Sequence, residues 1–528
     1  DYKRVIAWAL DHRLAVVALA VGSFVFALAM VPLRLVGVGF VPEDDRAEMT
    51  VQLETPPGSN LAYTRLKAEE AVRIIRENPE VQYTYTTLGG GTSGAVDVGK
   101  IFVRLNSRHL RDQSAEEIAR RFRDRMQGVS GVTLAIFTSP IGGGRKQLML
   151  EIRGDDSRTL NEVAEQVRGV VAAVPNVVDL SISTKGQKPE LTVVLDRGLA
   201  SSMGVSLAQV AQSLRPAFAG IDVGDWVDPA GETRDVMVRL SPEARRRATD
   251  LRQLPLMIPG PDGIPVTIPL GQVATVTEDV GPAVINHLNR EMVVNVEWNP
   301  SGRATGEIMA DVMVGVNQIV LPEGVLISQG GDAQQQSEIF GSIFLSLALA
   351  ALLMYLVLAM QFGSFTDPIA IMLSLPLSLI GVMGSLALTG NTVNIMSLIG
   401  VILLMGLVAK NAILLIDFAK WSQEREGMSL RDALIHAGAI RLRPILMTTF
   451  ALIAGMIPVA LGSGEGAQFR APLGVAVIGG VLSSALLTLV AIPTFYEILE
   501  EGREALTAGL RKLTRARPSV PAPAPGEH

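Results

Sequence analysis

The chain has 528 residues, of which 48% are hydrophobic and 19% are charged, and its formal net charge is −6. The apolar residues come in long uninterrupted blocks, which argues against an ordinary soluble enzyme. The acidic balance leaves no basic face for nucleic acid, so we expect no nucleic-acid partner.

The first apolar block, Leu14 to Leu33, carries no charge. A helix of about 20 residues crosses a hydrocarbon core of about 30 Å, so we predict that residues 1–36 form the first transmembrane helix. The block is too long for the apolar part of a signal peptide, and no small-x-small cleavage site follows it. Because the chain opens with Asp1 rather than Met, we treat it as a piece of a longer polypeptide.

Residues 37–140 alternate between short β-branched runs and segments of helical periodicity. The order is strand, helix, strand, strand, helix, strand, which predicts a split βαβ sandwich. The predicted strands are 49–53, 81–88, 101–105 and 132–137, and the predicted helices are 61–77 and 115–126.

A second copy of this pattern begins at residue 141 and is interrupted. Strands at 148–152 and 178–183 flank a helix at 160–174, and the pattern resumes with strands at 293–298 and 325–328 around a helix at 308–320. We therefore predict one subdomain from residues 141–187 plus 288–332. The insertion, 188–287, carries strand and turn signals and no obvious site chemistry.

Residues 333–502 contain five further apolar blocks that could span a membrane. They are 343–360, 369–388, 393–419, 445–461 and 473–496. Lys and Arg cluster at both ends of the chain and between the fourth and fifth spans, which marks that side as cytoplasmic. The fold class is thus a bundle of six transmembrane α-helices with a large α+β extracytoplasmic domain. The proline-rich end, 503–528, is predicted to be a disordered cytoplasmic tail.

Lys410 lies in the fourth predicted span with apolar turns on both sides. A charge at that depth costs between about 3 and more than about 10 kcal/mol, so such residues usually face the bundle interior, pair with an acid and serve an ion path. The alternatives are snorkelling to the interface and a structural pair with Asp417. We expect Asp417 to interact with Lys420 near the cytoplasmic end instead. No span carries a deeply placed Asp or Glu, so the counter-charge of Lys410 must come from elsewhere.

Three residues at the start of the fifth predicted span are ambiguous when taken alone. Arg441 and Arg443 are explained as positive-inside anchors. Thr448, about one turn further along, is explained as a hydroxyl that is satisfied within its own helix.

Residues 89–94 match the phosphate-binding pattern G-x-G-x-x-G, and residues 94–100 match the Walker pattern up to its lysine. Ile101 stands where a Ser or Thr would hold magnesium, and a β-rich run follows where a helix is needed. We therefore interpret the segment as a flexible loop between two strands. The chain has no cysteine and five scattered histidines, and it matches no hydrolase or metalloenzyme motif, so no metal site is predicted.

Four stretches together resemble the resistance-nodulation-division (RND) transporters, in particular the hydrophobe/amphiphile efflux branch. They are residues 39–46, 57–59, 406–414 and 441–448, and the resemblance runs from the first span to about Glu500. Such pumps have two six-helix halves, each with inserted porter and docking subdomains, and this chain resembles the carboxyl-terminal half. The resemblance implies that 37–140 and 141–187 plus 288–332 are porter subdomains and that 188–287 is a docking subdomain.

The resemblance also implies a proton relay. A lysine at the position of Lys410 pairs with two aspartates on a helix of the first half, and an arginine and a threonine that match Arg441 and Thr448 assist it. Protonation of the aspartates would release Lys410, which keeps its charge and changes partner. The energy source is then the proton gradient, no cofactor is expected, and the acidic residues belong to an amino-terminal half that acts as partner.

The resemblance further implies a homotrimer in the bacterial inner membrane, in contact with membrane lipid, with its large domain in the periplasm and joined to a periplasmic adaptor protein and an outer-membrane channel. Pumps with broad drug specificity place several phenylalanines along the strand-loop-strand of the substrate pocket. Here Thr84, Gly89, Gly90 and Gly91 occupy such positions and Phe102 remains. Phe102 and the three glycines are therefore the predicted substrate-binding residues, and a substrate range different from the polyaromatic one is expected.

Two other functions fit parts of the sequence. The chain could be a non-transporting scaffold or assembly half, which the missing acidic helix favours for the isolated chain. It could also be a half-size lipid or polyketide exporter that acts as a dimer of identical units, although such a unit should carry its own intramembrane acid.

Overall fold

The computed structural model describes residues 2–42, 44–89, 95–138, 146–259, 264–462 and 464–515, apart from the side chains of residues 259 and 504–515. Gly90 and Gly91 of the predicted substrate pocket and residues 516–528 of the predicted tail lie outside the described residues.

The chain begins with two helices, α1 (Tyr2–Asp11) and α2 (Arg13–Ala29), which meet at 95°. Helix α1 buries Ile6, Ala9 and Leu10 on one side and exposes Lys3 and Arg4 on the other. The segment predicted as one transmembrane helix, 1–36, is therefore two helices. The amphipathic pattern of α1 is the physical reason, because a helix with a charged face cannot continue into the hydrocarbon with the apolar α2.

The first α+β subdomain has the predicted order of elements. Its strands are β1 (Glu48–Glu54), β2 (Val81–Leu88), β3 (Val98–Leu105) and β4 (Thr133–Phe137), and its helices are α3 (Leu61–Arg76) and α4 (Ala115–Met126). The strands pair antiparallel in the order β2-β3-β1-β4, the ferredoxin-like arrangement of a split βαβ unit. One face of the sheet buries Val51, Ile101 and Val103 under the two helices.

The second subdomain begins in the same way, with β5 (Leu148–Gly154), α5 (Ser157–Ala172) and β6 (Val177–Ile182). The chain then leaves it at residue 184. Residues 56–60 and 184–286 form a separate compact unit, close to the predicted insertion 188–287.

This separate unit is built from short hairpins and helices around its own apolar core. Its strands pair as β7 with β12, β8 with β9 and β10 with β11. The elements are β7 (Gln187–Leu195), α6 (Arg197–Ser202), α7 (Leu207–Phe218), β8 (Ile221–Val227), β9 (Thr233–Val238), α8 (Ala248–Arg252), β10 (Pro255–Pro259), β11 (Pro265–Pro269) and β12 (Ala274–Pro282).

The second subdomain resumes with β13 (Asn286–Leu288), β14 (Glu291–Pro300), α9 (Thr305–Val316) and β15 (Leu326–Gly330). Strand β14 pairs antiparallel with β5 and with β6, and β15 pairs with the other edge of β5. The strand order β6-β14-β5-β15 repeats that of the first subdomain. The insertion thus enters between the second and third strands of a ferredoxin-like unit.

The rest of the chain is helical: α10 (Gly331–Phe362), α11 (Asp367–Met372), α12 (Ser374–Thr389), α13 (Ile395–Glu426), α14 (Leu430–Leu461) and α15 (Ala471–Arg515). Among the described residues, five segments are long and apolar enough to cross a membrane, with α11 and α12 counted as one, and the bent pair α1–α2 makes a sixth if it is one span.

Two of these helices extend beyond the predicted spans. Helix α14 begins at Leu430, so Arg441 and Arg443 lie within the helix rather than at its start. Helix α15 continues to Arg515, which corrects the predicted start of the disordered tail at 503. Residues 503–515 are rich in helix-forming Ala, Leu, Lys, Arg and Glu and contain no proline, so nothing in them stops the helix.

Candidate functional site

Lys410 is on α13, and its exposed side chain lines a cavity of about 480 Å³. The cavity is otherwise mostly apolar, and no carboxylate is among its lining residues. They are Leu407, Val408, Lys410, Asn411, Thr448, Thr449, Ala451, Leu452, Gly455, Met456 and Val481. Within the part of the chain that the structure describes, Lys410 therefore has no acidic partner at this cavity.

Thr448 lies on the same cavity, on α14, and its Oγ1 donates a hydrogen bond of 3.0 Å to the Ile445 carbonyl. Arg441 is not among the lining residues. Its guanidinium sits over the Phe418 ring at 4.8 Å from the centroid, and its buried Nε has no hydrogen-bond partner among the described residues. The structure thus brings Lys410 and Thr448 together and leaves Arg441 about two turns away along α14.

Lys420 has a partner that the sequence analysis missed. Its Nζ lies 2.5 Å from Oδ2 of Asp367, a carboxylate that is 1% exposed, and 5.5 Å from the centroid of the Phe362 ring. The expected pairing of Lys420 with Asp417 is therefore wrong, since Asp417 points to the exposed side of α13. The acid comes from the start of α11, which is distant in sequence, and no local spacing could have indicated it.

The predicted substrate residue Phe102 lies on β3 beside two tyrosines of β2. Tyr85 is its cross-strand partner, and the Tyr83 ring is 6.2 Å from the Phe102 ring. Tyr83 and Tyr85 are 51% and 67% exposed. The expectation that Phe102 alone supplies aromatic surface is therefore too narrow, because alternating residues of a strand place both tyrosines on the same side. Gly89, at the end of this hairpin strand, has a φ of 68°.

A larger and more polar cavity, of about 620 Å³, lies where the two ferredoxin-like subdomains meet the loop before α13 and the start of α15. Four acidic residues from three segments of the chain line it, together with two arginines: Asp44, Asp45, Glu116, Asp332, Arg123 and Arg303. The sequence analysis did not identify this cavity, since its residues converge only in the folded chain.

A short backbone ladder connects α13 to the second ferredoxin-like subdomain. Val38 forms a parallel bridge with Val393, next to the N-cap of α13, and Gly39 N donates to the Val393 carbonyl at 3.0 Å. On its other side, the Val38 carbonyl accepts from Gly306 N at 3.0 Å, in the first turn of α9. The helix that carries Lys410 is thus joined through one strand segment to a helix of the α+β region.

A side-chain contact joins the first ferredoxin-like subdomain to the loop between α14 and α15. Glu465 accepts hydrogen bonds from Arg104 at 3.0 Å and from Ser107 at 2.7 Å. These two contacts hold the pKa of the Glu465 carboxyl below its usual range. The Glu465 carboxyl group is therefore ionised at neutral pH.

Comparison with known proteins gives a consistent assignment. The model of the AcrB/AcrD/AcrF family matches residues 1–500. Relatives include the multidrug resistance protein MdtC of Serratia proteamaculans (strain 568), 28% identical over 94% of this chain and 48% of the relative, and MdtC of Erwinia tasmaniensis, 28% identical over 95% and 49%.

Solved structures agree on the fold. Two crystal forms of a heavy metal efflux pump match with a TM-score of 0.78 and 23% and 22% identity, covering 95% of this chain and 52% of that chain. The chain spans about half the length of the curated relatives that it matches. With the family model matching residues 1–500, the chain belongs to the AcrB/AcrD/AcrF family of RND transporters.

Proposed function

We propose that this chain is the carboxyl-terminal half of a proton-driven efflux pump, which exports hydrophobic or amphiphilic small molecules across the bacterial envelope. RND proteins are secondary transporters and not enzymes. The observation that carries the proposal is Lys410, a cationic side chain in a membrane-spanning helix, which lines an open cavity whose described lining holds no acid. Such an arrangement calls for an acidic partner on a helix outside this chain.

The proposed mechanism uses that missing partner. Two aspartates on a helix of the amino-terminal half pair with Lys410 when they are ionised, and their protonation breaks the pair. Lys410 keeps its own proton and turns to another partner, with Thr448 at the same cavity and Arg441 further along α14. The difference in pairing shifts the balance between two arrangements of the helices, which is how a proton gradient drives a conformational cycle without a further cofactor.

The aromatic residues on the β2–β3 hairpin support an organic substrate. Exposed rings provide apolar area and stacking for hydrophobic or amphiphilic molecules. With Tyr83 and Tyr85 beside it, Phe102 offers such a surface, and Gly89 directly follows β2 on the same pair of strands. The adjoining Gly90 and Gly91 are proposed to belong to the same substrate site.

We further propose the assembly that this function requires. The pump is a homotrimer in the inner membrane, in contact with lipid, and residues 37–332 lie in the periplasm. The unit formed by 184–286 is the docking part that meets an adaptor protein and an outer-membrane channel.

The two alternative functions, a scaffold half and a half-size exporter, make different predictions about transport. A scaffold half would not transport in any combination, so Lys410 would be dispensable. A half-size exporter would transport without a second half, although the described lining of the Lys410 cavity contains no acid of its own.

The test is to express this half alone and with a matching first half, and to measure drug susceptibility and proton uptake. We expect transport only from the reunited halves and its loss in Lys410→Ala. Lys3→Ala, at an exposed lysine of α1, is the control and should transport normally. Transport by the half alone, or by the reunited Lys410→Ala variant, would overturn the proposal.

A further inference from the structure

Where α13 ends and α14 begins, three side chains pack around the ring of Phe418. Trp421 stacks on this ring with the centroids 5.5 Å apart, and the Arg441 guanidinium lies 4.8 Å from its centroid. The His436 ring meets it edge-on, with the centroids 6.1 Å apart and the planes at 87°. Phe418 and Trp421 belong to α13, whereas His436 and Arg441 belong to α14. The ring therefore joins the two helices.

An acid lies beside the histidine without bonding to it. Oε2 of Glu426, the last residue of α13, is 3.8 Å from Nδ1 of His436, which is too long for a hydrogen bond. This Nδ1 is buried and has no hydrogen-bond partner among the described residues. The chain turns back sharply between the two helices, from Gly427 with a φ of 66° to Ser429, the N-cap of α14. We call Phe418, Trp421, Glu426, His436 and Arg441 the His436 cluster.

The charge of His436 decides how these groups interact. An imidazole changes its charge between about pH 5 and 8, and a protonated ring carries N–H on both nitrogens. The Glu426 carboxylate attracts such a cation, and so do the terminal carbonyl groups of α13. Arg441, on the Phe418 ring, opposes a second cation there. Asp432, one turn before His436 on α14, is engaged by the N-cap of that helix.

The other helices that pack on α14 contact different faces of it. Gly438 faces α1, where an added Cβ would clash with Ile6. Arg431 pairs with Asp11 of α1 and lies near Glu497 of α15. Residues two and five positions away along a helix point about 160° and 140° apart, so these groups lie away from the imidazole. Among the described residues, Glu426 is the one acid within 4.0 Å of a ring nitrogen of His436.

The His436 cluster lies beyond the membrane interior. Glu426 follows Lys410 by about four turns of α13, which is about 24 Å along the helix axis. Half of a hydrocarbon core is only about 15 Å thick. The opposite end of α13 is joined to the α+β region at Val393, so in the proposed topology the cluster is on the cytoplasmic side. The His436 side chain is 32% exposed there, and it can exchange protons with the cytosol.

We propose that the His436 cluster is a switch that slows the pump when the cytosol becomes acidic. The inference rests on the proposed function, in which α13 and α14 change their arrangement and each cycle brings protons into the cytosol. One proton from the cytosol binds to His436, and the resulting cation donates a hydrogen bond to Glu426. This bond clamps the start of α14 to the end of α13. Loss of the proton at higher pH releases the clamp, so the pump limits the acidification that it causes.

Three substitutions test the switch in the reunited two-half transporter. His436→Gln keeps a polar side chain that cannot gain a proton. Glu426→Gln removes the charge that attracts the cation, independently and on the other helix. His12→Gln is the matched control, because His12 is an exposed histidine on the same side of the membrane and its ring stacks on Trp8.

The first readout is amide hydrogen exchange in the first turns of α14, corrected for the intrinsic effect of pH on exchange. It is measured in the parent, in His436→Gln, in Glu426→Gln and in the double variant. At pH 6 we expect each single substitution to lower protection by about threefold and the double variant to be no less protected. At pH 8 all four proteins should be equally protected, which also shows that the variants are folded.

The second readout is the initial rate of efflux from proteoliposomes, with the pH on the cytoplasmic side set between 6 and 8 at a constant pH difference across the membrane. We expect the parent and His12→Gln to slow about threefold more at pH 6 than His436→Gln and Glu426→Gln do, since an exposed ion pair contributes an effect of this size.

Equal protection of the parent and the variants at pH 6 would overturn the clamp. A clamp seen by exchange, together with an efflux rate that falls as steeply in His436→Gln as in the parent, would overturn its role in regulation. Hydrogen exchange requires no transport, so these results stand apart from the proposed function. That function fails separately, if the reunited Lys410→Ala variant continues to transport.

Discussion

Arg123 on α4 lies with its Nε 3.3 Å from Oδ2 of Asp179 on β6, so an ion pair joins the two ferredoxin-like subdomains. The side chains are 13% and 4% exposed. The same carboxylate oxygen accepts hydrogen bonds from Ile136 N at 3.3 Å and from the Asn299 amide at 3.0 Å. Asp179 sits at an irregularity in the β6–β14 pairing with a φ of 57°, a conformation that Asp and Asn tolerate better than most residues.

Asp179→Asn should loosen this junction without disturbing the local backbone. The substitution keeps a residue suited to positive φ but removes the charge that Arg123 faces, although Glu116 still pairs with Arg123 at 3.2 Å. We expect amide hydrogen exchange in β4, which contains Ile136, to accelerate by about tenfold, since one buried hydrogen bond contributes about 1 kcal/mol or more. Asp124→Asn, on the exposed side of α4, is the control. Equal exchange in the two variants would show that Asp179 does not hold the subdomains together.

The surroundings of Asp45 predict that the first ferredoxin-like subdomain becomes less stable at acidic pH. Burial acts to raise the pKa of its carboxyl, but hydrogen bonds from Arg111 and from the backbone N–H groups of Ala115 and Ala47 outweigh burial and lower it. A carboxylate with a depressed pKa stabilises the fold above its unfolded pKa, here 3.8, and loses that contribution as the pH falls through the lower folded pKa.

We therefore expect the first ferredoxin-like subdomain to lose hydrogen-exchange protection around the start of α4 as the pH is lowered below about 4. Exchange in that segment, measured against pH in the intact protein, tests this. Asp45→Asn should be less protected at neutral pH and should show a flatter pH dependence. A pH profile of the same steepness in both proteins would assign the acid response to another group.

Lys420→Ala should lower the stability of the protein, whereas Lys410→Ala should abolish transport. Removing Lys420 leaves the buried Asp367 carboxylate without its cation, and breaking a buried pair in this way costs about 3–5 kcal/mol. Lys410 has no such partner at its cavity among the described residues, so its loss should leave the stability of this half, purified alone, almost unchanged. In the reunited halves the same substitution should abolish transport. Thermal unfolding of each purified variant separates the two effects. A Lys420→Ala protein as stable as the parent would contradict the buried pair.

The sequence correctly predicted the helices and strands whose hydrophobic pattern lies within one short segment of the chain. The periodicity of residues 61–77 and 115–126 matches α3 and α4 closely, and the interruption of the second copy appears in the structure between β6 and β14. The bend at His12 was missed because the run from Leu14 to Leu33 dominates that region. The sequence could not predict pairing between distant segments, such as Asp367 with Lys420. It also could not predict the burial that distinguishes Thr449 from Thr448. Both depend on which helix faces meet.

The ladder at Val38 predicts that a small change at Gly306 affects transport. A Cβ added at Gly306 would lie 2.9 Å from the Val38 carbonyl oxygen, a backbone atom that can only yield if the strand segment moves. That segment also pairs with Val393, at the start of the helix that carries Lys410. Gly306→Ala should therefore weaken the link between α9 and α13 and lower the efflux rate, while Lys410 and its cavity stay intact.

Gly169→Ala on α5 is the matched control. Nothing lies within 4 Å of the added Cβ, and replacing an exposed helical glycine by alanine stabilises by about 0.5–1 kcal/mol. Efflux and proton uptake are then measured together in each variant. If the ladder transmits movement, Gly306→Ala should lower efflux more than proton uptake, because protons would still reach the relay without moving α9. Equal loss of both would place the damage at the relay itself, and normal efflux would mean that the two regions communicate by another route.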